Sequence, residues 1–215
     1  MRKMKRYIFL ILLLFGGTLA AQDTDGGATP ILQSLAKKYQ ALTSMSIDYT
    51  YKAVKDKKTI ATLTGKVSIK GKKYLMTFDD QTFYCDGVTM WNYQKSSNEV
   101  SIYTYDESDD DVLNPAKMLG NWQKDFTAKF IREEVEAGKS LQIIDLTPKK
   151  GQSYYKIRLF IDKNKKEIVR CAVYEKDNTI YTYYFDKFVS NTPLSDTLFV
   201  FDAAKYPGVE TNDMR

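Results

Sequence analysis

Histidine is absent from this chain of 215 residues. Its absence excludes Ser-His and Cys-His nucleophilic pairs and zinc sites with imidazole ligands. The chain also has no CxxC motif, no GxSxG elbow, no phosphate-binding glycine loop and no Rossmann fingerprint. We therefore expect a protein that is not an enzyme and that has no cofactor and no metal site. A hydrolase built on two carboxylates is the remaining catalytic alternative, although no spacing singles out such a pair.

A strong excess of charge is also missing from most of the chain. Lys and Arg number 32 and Asp and Glu 27, which gives a net charge of +5. Residues 1–21 hold four basic and no acidic residues, so the remainder carries 5 − 4 = +1. A nearly neutral chain lacks the basic surface that binds phosphate backbones. We exclude nucleic acid as a partner.

The first 21 residues have the order of a secretory signal peptide. Four basic residues precede a nine-residue apolar run from Tyr7 to Phe15, and small residues follow up to Ala21. A membrane-spanning helix needs about 20 apolar residues, which is more than this run offers. We predict a cleavable signal peptide at residues 1–21, with an uncleaved anchor as the alternative. Since no linker or repeat divides the rest, residues 22–215 are predicted to form one domain.

Alternation of apolar and polar residues predicts a mainly β domain. Thr29 and Pro30 first predict a helix start, with Thr29 as the N-cap and an apolar stripe that continues to Leu42. Residues 114–119 predict a short helix, Asn114 and Pro115 at its start, which would act as a lid over a curved antiparallel sheet. The predicted strands lie at about residues 46–53, 61–70, 74–78, 83–85, 90–93, 128–135, 141–146, 154–161, 168–174, 180–188 and 198–201.

Apolar and aromatic side chains are abundant, with 11 Phe, 16 Tyr and 7 Met. Either they fill an ordinary core, or the sheet curls into a half-open barrel whose inner face holds an apolar ligand. Met76, Met90 and Met118 would give the second arrangement an adaptable lining for flexible acyl chains. The composition leaves both interpretations open.

Two further features have competing interpretations. The acidic run at residues 106–111 lacks the glycine and the terminal glutamate of an EF-hand loop, so a solvated loop is favoured over a calcium site. Cys85 and Cys171 both lie in predicted strands of an exported protein, where a disulfide is feasible. Two buried free thiols fit the sequence equally well.

Five segments along the chain carry a family resemblance. They are Leu63–Lys70, Gln81–Tyr93 with its Asp-Gly turn and Trp-Asn-Tyr strand, Asn114–Leu119 with its proline, Leu146–Lys149, and Phe199–Phe201 followed by a Pro-Gly-Val sequence. In this order, across some 150 residues, they resemble the periplasmic outer-membrane lipoprotein carrier family, LolA. Each segment is weak evidence alone, whereas five in register are much stronger.

The resemblance implies an incomplete antiparallel β-barrel with a helical lid and a hydrophobic cavity for lipoprotein acyl chains. It implies a periplasmic carrier that receives outer-membrane-destined lipoproteins from an inner-membrane lipoprotein-releasing ABC transporter, and it leaves an outer-membrane receptor open. We expect a monomer. The cavity and lid residues predicted from the alternation and the resemblance are Leu63, Val67, Lys70, Tyr74, Met76, Phe78, Met90, Trp91, Pro115, Met118 and Leu119.

One position departs from the family pattern. Where the family commonly has an arginine in a Lys-Arg-Pro turn that hydrogen-bonds the lid, this chain has Lys70 followed by Gly71. Lysine keeps the charge but lacks the planar fork of donors. Either the latch works differently, or the cargo does. A carrier or sensor for another envelope lipid or glycolipid is therefore the second hypothesis, and an interaction module with a filled interior is the third.

Overall fold

The computed structural model describes residues 25–106 and 115–215, with side chains from Met118 onward in the second range. The predicted signal peptide lies outside these residues, as does most of the acidic run. The strands of the described part, in chain order, are β1 (Met45–Lys55), β2 (Lys58–Lys70), β3 (Lys73–Phe78), β4 (Gln81–Cys85), β5 (Thr89–Gln94), β6 (Glu99–Thr104), β7 (Phe126–Glu136), β8 (Lys139–Pro148), β9 (Tyr154–Asp162), β10 (Glu167–Glu175), β11 (Thr179–Ser190) and β12 (Glu210–Asp213).

These twelve strands belong to one sheet, in the order β12-β6-β5-β4-β3-β2-β1-β11-β10-β9-β8-β7. Neighbouring strands are antiparallel except for β12 and β6, which run parallel. In the described part of the chain the two edge strands, β12 and β7, do not pair with each other, so the sheet stays open. This confirms the prediction of a mainly β, half-open fold. The enclosed cavity beneath a lid remains a prediction.

The helices of the described residues are short and lie between or beside the strands. They are α1 (Ala28–Gln40), α2 (Pro115–Gly120), α3 (Trp122–Asp125) and the 3-10 helices Asp196–Phe199 and Ala203–Lys205. Within the two described ranges, none of them combines the length and the apolar character that crossing a bilayer requires. The helix predicted at residues 114–119 corresponds to α2, although Asn114 lies outside the described residues.

The start of α1 differs from the prediction in how it is capped. The helix begins at Ala28, before Thr29, and the carboxylate of Asp25 accepts the backbone N–H groups of Gly27 at 2.8 Å and Thr29 at 2.8 Å. The Thr29 hydroxyl donates to the same carboxylate. Asp25 therefore satisfies the free amides of the first turn, and the expectation that Thr29 is the N-cap is wrong.

The helix α1 packs on one face of the sheet, which we call the inner face. The ring of Tyr39 lies 5.7 Å from that of Phe188 in β11, and the Tyr39 hydroxyl accepts the backbone N–H of Ile168 in β10 at 3.1 Å. The main core lies between this helix and the inner face, because Leu32 and Leu35 are buried there together with residues from most strands. The helix α2 lies beside α1.

The strand prediction succeeds along most of the chain and fails near its C-terminus. Residues 128–135 belong to β7, as predicted. Residues 198–201 do not form the predicted final strand, because a 3-10 helix covers Asp196–Phe199 and the last strand is β12. Two strands, β6 and β12, were not predicted. Both thiols are buried and free, so Cys85 and Cys171 are not joined by a disulfide.

Candidate functional site

The candidate site is the part of the inner face that α1 leaves incompletely covered. Val67, Tyr74 and Leu119 of the predicted set are buried in the main core. Four further residues of the predicted set pack against this core but are only half-buried. These half-buried residues are Met76, Phe78, Met90 and Met118.

Strand register shows that these side chains share one face. Across four neighbouring strands, Phe83 in β4 lies opposite Met76 in β3, which lies opposite Val67 in β2, which lies opposite Ile47 in β1. Residues directly opposite each other in an antiparallel pair point to the same side. Half-buried Phe83 and Met76 therefore continue the apolar surface of buried Val67 and Ile47 without a break.

A tyrosine cluster extends the same face beyond the core. Tyr51 of β1 lies opposite Leu63 of β2, and its ring is 5.2 Å from Phe78 and 5.2 Å from Tyr183. Burial raises the pKa of the half-buried Tyr51 and Tyr183 hydroxyls, which therefore stay protonated at neutral pH. Leu63 and Phe78 were predicted from the sequence, but both tyrosines were missed. Their strand alternation was visible, but only the pairing of β1 with β11 brings them together.

Tyr49 crosses β2 on this face and divides the tyrosine cluster from the α1-covered core. Its hydroxyl donates to the backbone carbonyl of Thr77 in β3 at 2.8 Å, and its ring lies over Gly65 of β2. Burial raises the pKa of Tyr49 to about 12. A side chain at position 65 would collide with this hydroxyl, so glycine is required here by close approach and not by a turn.

Trp91 lies on the opposite face, which we call the outer face. It pairs with Tyr84 across the β4–β5 ladder, whereas its neighbour Met90 pairs with inward-facing Cys85. The C-terminal segment covers the outer face here: the Tyr84 and Tyr206 hydroxyls share a hydrogen bond of 2.8 Å, and Phe201 stacks on Tyr206 at 5.0 Å. The structure therefore places Trp91 on the face opposite to Val67, Tyr74, Met76, Phe78 and Met90.

Lys70 contacts the C-terminal segment. Its ammonium donates to the carbonyl of Leu194 at 3.0 Å and to the carboxylate of Asp196 at 2.8 Å, and Lys73 pairs with the same carboxylate at 3.0 Å. These lysines lower the pKa of Asp196. Lys70 also lines a small open pocket of about 270 Å³, together with residues 43–44 and 191–194. Among described residues, its hydrogen bonds therefore go to residues 194–196 and not to α2.

The lid position is described only in part. Pro115 begins α2, but its side chain lies outside the described residues. Met118 and Leu119 follow it, the first half-buried and the second fully buried in the main core. The end of α2 approaches the end of α1, since a Cβ atom on Gly120 would lie 3.2 Å from the Gln40 side chain. Through Met118, the helix α2 packs against the same core as the half-buried residues of the inner face.

The described side chains of the site are mainly apolar, aromatic or uncharged. No group of three His, Cys, Asp or Glu residues that could hold a metal ion occurs in residues 25–106 or 115–215. Burial raises the pKa of the inward-facing Cys171 thiol to about 12, so it is not a thiolate nucleophile at neutral pH. The inner face offers apolar area, aromatic rings and uncharged hydroxyl groups.

Comparison with known proteins gives one family and one shared fold. A family model described as outer membrane lipoprotein carrier protein LolA matches residues 40–202. An uncharacterised protein of Methanocaldococcus jannaschii is 24% identical over 200 residues, covering 91% of this chain and 58% of that protein. The chain therefore spans less than two thirds of that relative's length.

Solved structures resemble this chain at low sequence identity. An uncharacterised conserved protein from Thermus thermophilus superimposes with a TM-score of 0.58 at 11% identity, covering 86% of this chain and 98% of that one. This likeness shows a shared fold. A putative outer membrane lipoprotein-sorting protein domain from Vibrio parahaemolyticus gives a TM-score of 0.45 at 10% identity, over 79% of this chain and 94% of that one.

Proposed function

Because the chain belongs to the family of the outer membrane lipoprotein carrier protein LolA, we propose that it carries lipoproteins by binding their acyl chains on the inner face of its sheet. The observation that carries this proposal is the half-buried apolar surface of Met76, Phe83 and Met90, which packs against the main core, as Met118 of α2 does. A monomeric protein with a filled interior has no need for such a surface, whereas a carrier needs it for its cargo.

The open sheet suits a load that must be released again. Each buried methylene group contributes about 0.8 kcal/mol, and a single acyl chain gives only marginal, reversible membrane binding. A carrier must therefore bind its cargo about as strongly as the membrane does. A half-buried apolar face meets this condition, because part of its area is already shielded from water before the cargo binds. Binding an acyl chain then removes less apolar area of the protein from water, which keeps the affinity moderate. A closed, densely packed interior would have to expand to admit a chain.

The proposed site of action is the periplasm, and the proposed partners follow the family. The predicted signal peptide at residues 1–21 would export the chain, and an inner-membrane lipoprotein-releasing ABC transporter would load it. Cargo would then pass to the outer membrane, with or without a receptor there. On this proposal the protein is not an enzyme, since it moves its ligand without changing it.

A second candidate cargo is another envelope lipid or glycolipid. The observation that favours it is Lys70, whose hydrogen bonds go to Leu194 and Asp196 and, among described residues, not to the lid helix. Release of the lid in this protein would then differ from release in family members that have arginine at this position.

Site-specific photo-cross-linking tests the acyl-binding face. A benzophenone amino acid replaces Met76 on the inner face in one variant and Thr77, its exposed neighbour on the outer face, in the other. With a triacylated lipopeptide, we expect capture at position 76 and little capture at position 77. Equal capture at both positions, or none at position 76, would contradict the proposal. Capture of a free lipid at position 76 in preference to the lipopeptide would favour the second cargo.

A further inference from the structure

One polar atom on the inner face lacks a partner. The side-chain oxygen of Asn92 in β5 is buried and finds no hydrogen-bond partner in the described part of the chain. Asn92 lies opposite Phe83 of β4 and opposite Ser101 of β6, so it continues the row that runs through Phe83, Met76 and Val67. A buried acceptor without a donor is unfavourable, and native structures rarely retain one without a reason.

The surroundings of Asn92 mark the polar end of an otherwise apolar surface. Gln81 and Gln94 lie opposite each other in the adjacent row, so Asn92 sits among uncharged amide and hydroxyl groups at β4–β6. One carboxylate oxygen of the nearby Glu99 accepts a hydrogen bond from the side chain of Asn212 in β12. Beside the apolar Phe83 and Met90, this end of the inner face therefore carries polar groups, which are Gln81, Gln94, Ser101 and the carboxylate of Glu99.

We propose that Asn92 is a specificity residue that accepts a hydrogen bond from an N–H group at the head of the bound acyl chain. This inference rests on the proposed function, since it places the acyl chain along Met76 and Phe83. The unpartnered oxygen is an acceptor, so the ligand must supply a donor. An amide-linked acyl chain carries an N–H beside its first carbons, whereas an ester-linked chain carries acceptors only. The site therefore selects amide-linked over ester-linked chains.

A matched pair of ligands tests this preference on the whole protein. N-methylhexadecanamide and methyl hexadecanoate have the same chain and differ in the N–H group, and both can displace a bound fluorescent fatty acid. We expect the wild-type protein to bind the amide about tenfold more tightly, which corresponds to one hydrogen bond to a buried acceptor. Asn92→Leu should abolish this preference while leaving the affinity for the ester unchanged or improved.

Gln94→Leu is the matched control, because Gln94 is exposed on the same strand and face and should leave the preference intact. Equal binding of amide and ester by the wild-type protein, or a preference that survives Asn92→Leu, would overturn the role of Asn92 while leaving acyl binding in place. Failure of both ligands to displace the fluorescent fatty acid would overturn the proposed function as well.

The amide group could belong to a lipoprotein or to a sphingolipid-type lipid. A triacylated lipopeptide and a ceramide both present an N-acyl group, so direct competition between them separates the two sources. Since the proposed cargo is a lipoprotein, we expect the lipopeptide to displace ceramide from the wild-type protein. If ceramide displaces the lipopeptide instead, the lipoprotein as the source of the amide is overturned.

Discussion

Gly65 shows how closely the inner face is packed around Tyr49. A Cβ atom at position 65 would lie 2.3 Å from the backbone carbonyl of Thr77 and 2.4 Å from the Tyr49 hydroxyl. Because one of these atoms belongs to the backbone of β3, a rotamer change of a side chain cannot relieve the contact. The absence of a side chain at position 65 therefore lets Tyr49 reach across β2.

We predict that Gly65→Ala destabilises the fold by about 1–3 kcal/mol through overpacking. Urea unfolding at neutral pH measures this change in the free energy of unfolding. Gly151→Ala is the control, because a Cβ atom there meets no atom within 4 Å, and it should change stability by no more than about 0.5 kcal/mol. Equal effects of the two substitutions would show that Tyr49 does not occupy the space over Gly65.

The buried thiols make stability depend on alkaline pH. Burial raises the pKa of Cys171 from 9.0 to about 12 and also raises the pKa of Cys85. The folded protein therefore holds these protons more tightly than the unfolded chain does. The stabilising contribution is complete below the unfolded pKa near 9 and is lost as the pH rises towards 12.

We expect the free energy of unfolding to fall already between about pH 8.5 and 9.5, because thiols of the unfolded chain ionise there while most of its tyrosines, whose ordinary pKa is about 10, are still protonated. Denaturant titrations at closely spaced pH values measure this slope. A variant with Cys85→Ala and Cys171→Ala should have a much flatter profile in that interval. A slope that the double substitution leaves unchanged would refute the assignment to the thiols.

Prediction of single site residues from the sequence is limited because the sequence does not show which side chains of a strand face the core. Met90 and Trp91 are adjacent in β5 and therefore cannot share a face, yet both are apolar and both precede the lid. Alternation predicts the strand but not its orientation, because Tyr84 and Tyr93 make the outer face aromatic too. Only the pairing of Met90 with buried Cys85 identifies the inward residue. For the same reason the sequence did not single out Asn92.

At the scale of elements, the C-terminal segment was the hardest to predict. The Phe-Val-Phe sequence at residues 199–201 alternates like a strand, but Ser195 caps a 3-10 helix by accepting the N–H of Thr197. Phe199 is then fully buried, and Phe201 stacks against Tyr206 on the outer face. Phe201 also packs against Tyr84 of β4 and Tyr93 of β5, which are far from it in sequence, so a local pattern cannot predict these contacts. The helix α1 and the long hairpin strands were predictable because their periodicity is local.

Lys70 connects β2 to this C-terminal segment through Leu194 and Asp196. We predict that Lys70→Met increases amide hydrogen exchange in residues 194–199 and leaves α2 unchanged. The physical reason is that the ammonium bonds to the carbonyl and carboxylate of that segment and to nothing in α2 among described residues. Native-state exchange with mass spectrometry measures both regions.

The matched control for this experiment is Lys66→Met, which lies on the same strand and only approaches Asp48 at 3.7 Å. It should leave exchange in residues 194–199 as in the wild-type protein. Faster exchange in residues 115–120 of Lys70→Met would instead mean that Lys70 latches the lid helix, as arginine does in the family pattern.

At the scale of the whole molecule, one part of the inner face of the sheet is buried and another part is only half-buried. The part around Ile47 and Leu159 is buried in one core with residues of α1, while the part around Met76, Phe83 and Met90 stays half-buried. Alternation and turn residues predicted most of the strands and the short helix at residues 114–119, and the family resemblance implied the half-open sheet. The sequence could not predict how much apolar area remains uncovered, since that depends on how far a single helix reaches across twelve strands.

The central claim is that this half-buried part of the inner face binds acyl chains. Fluorescence titration with a triacylated lipopeptide tests it most directly, in the wild-type protein and in Met90→Lys and Trp91→Lys, which place the same charge on opposite faces of β5. We predict that Met90→Lys weakens binding at least about tenfold, because an ammonium group beside an acyl chain loses its hydrating water. We predict that Trp91→Lys binds the lipopeptide as strongly as the wild-type protein does. Thermal unfolding of each variant shows that it is folded. Binding that survives Met90→Lys but is lost in folded Trp91→Lys would contradict the account.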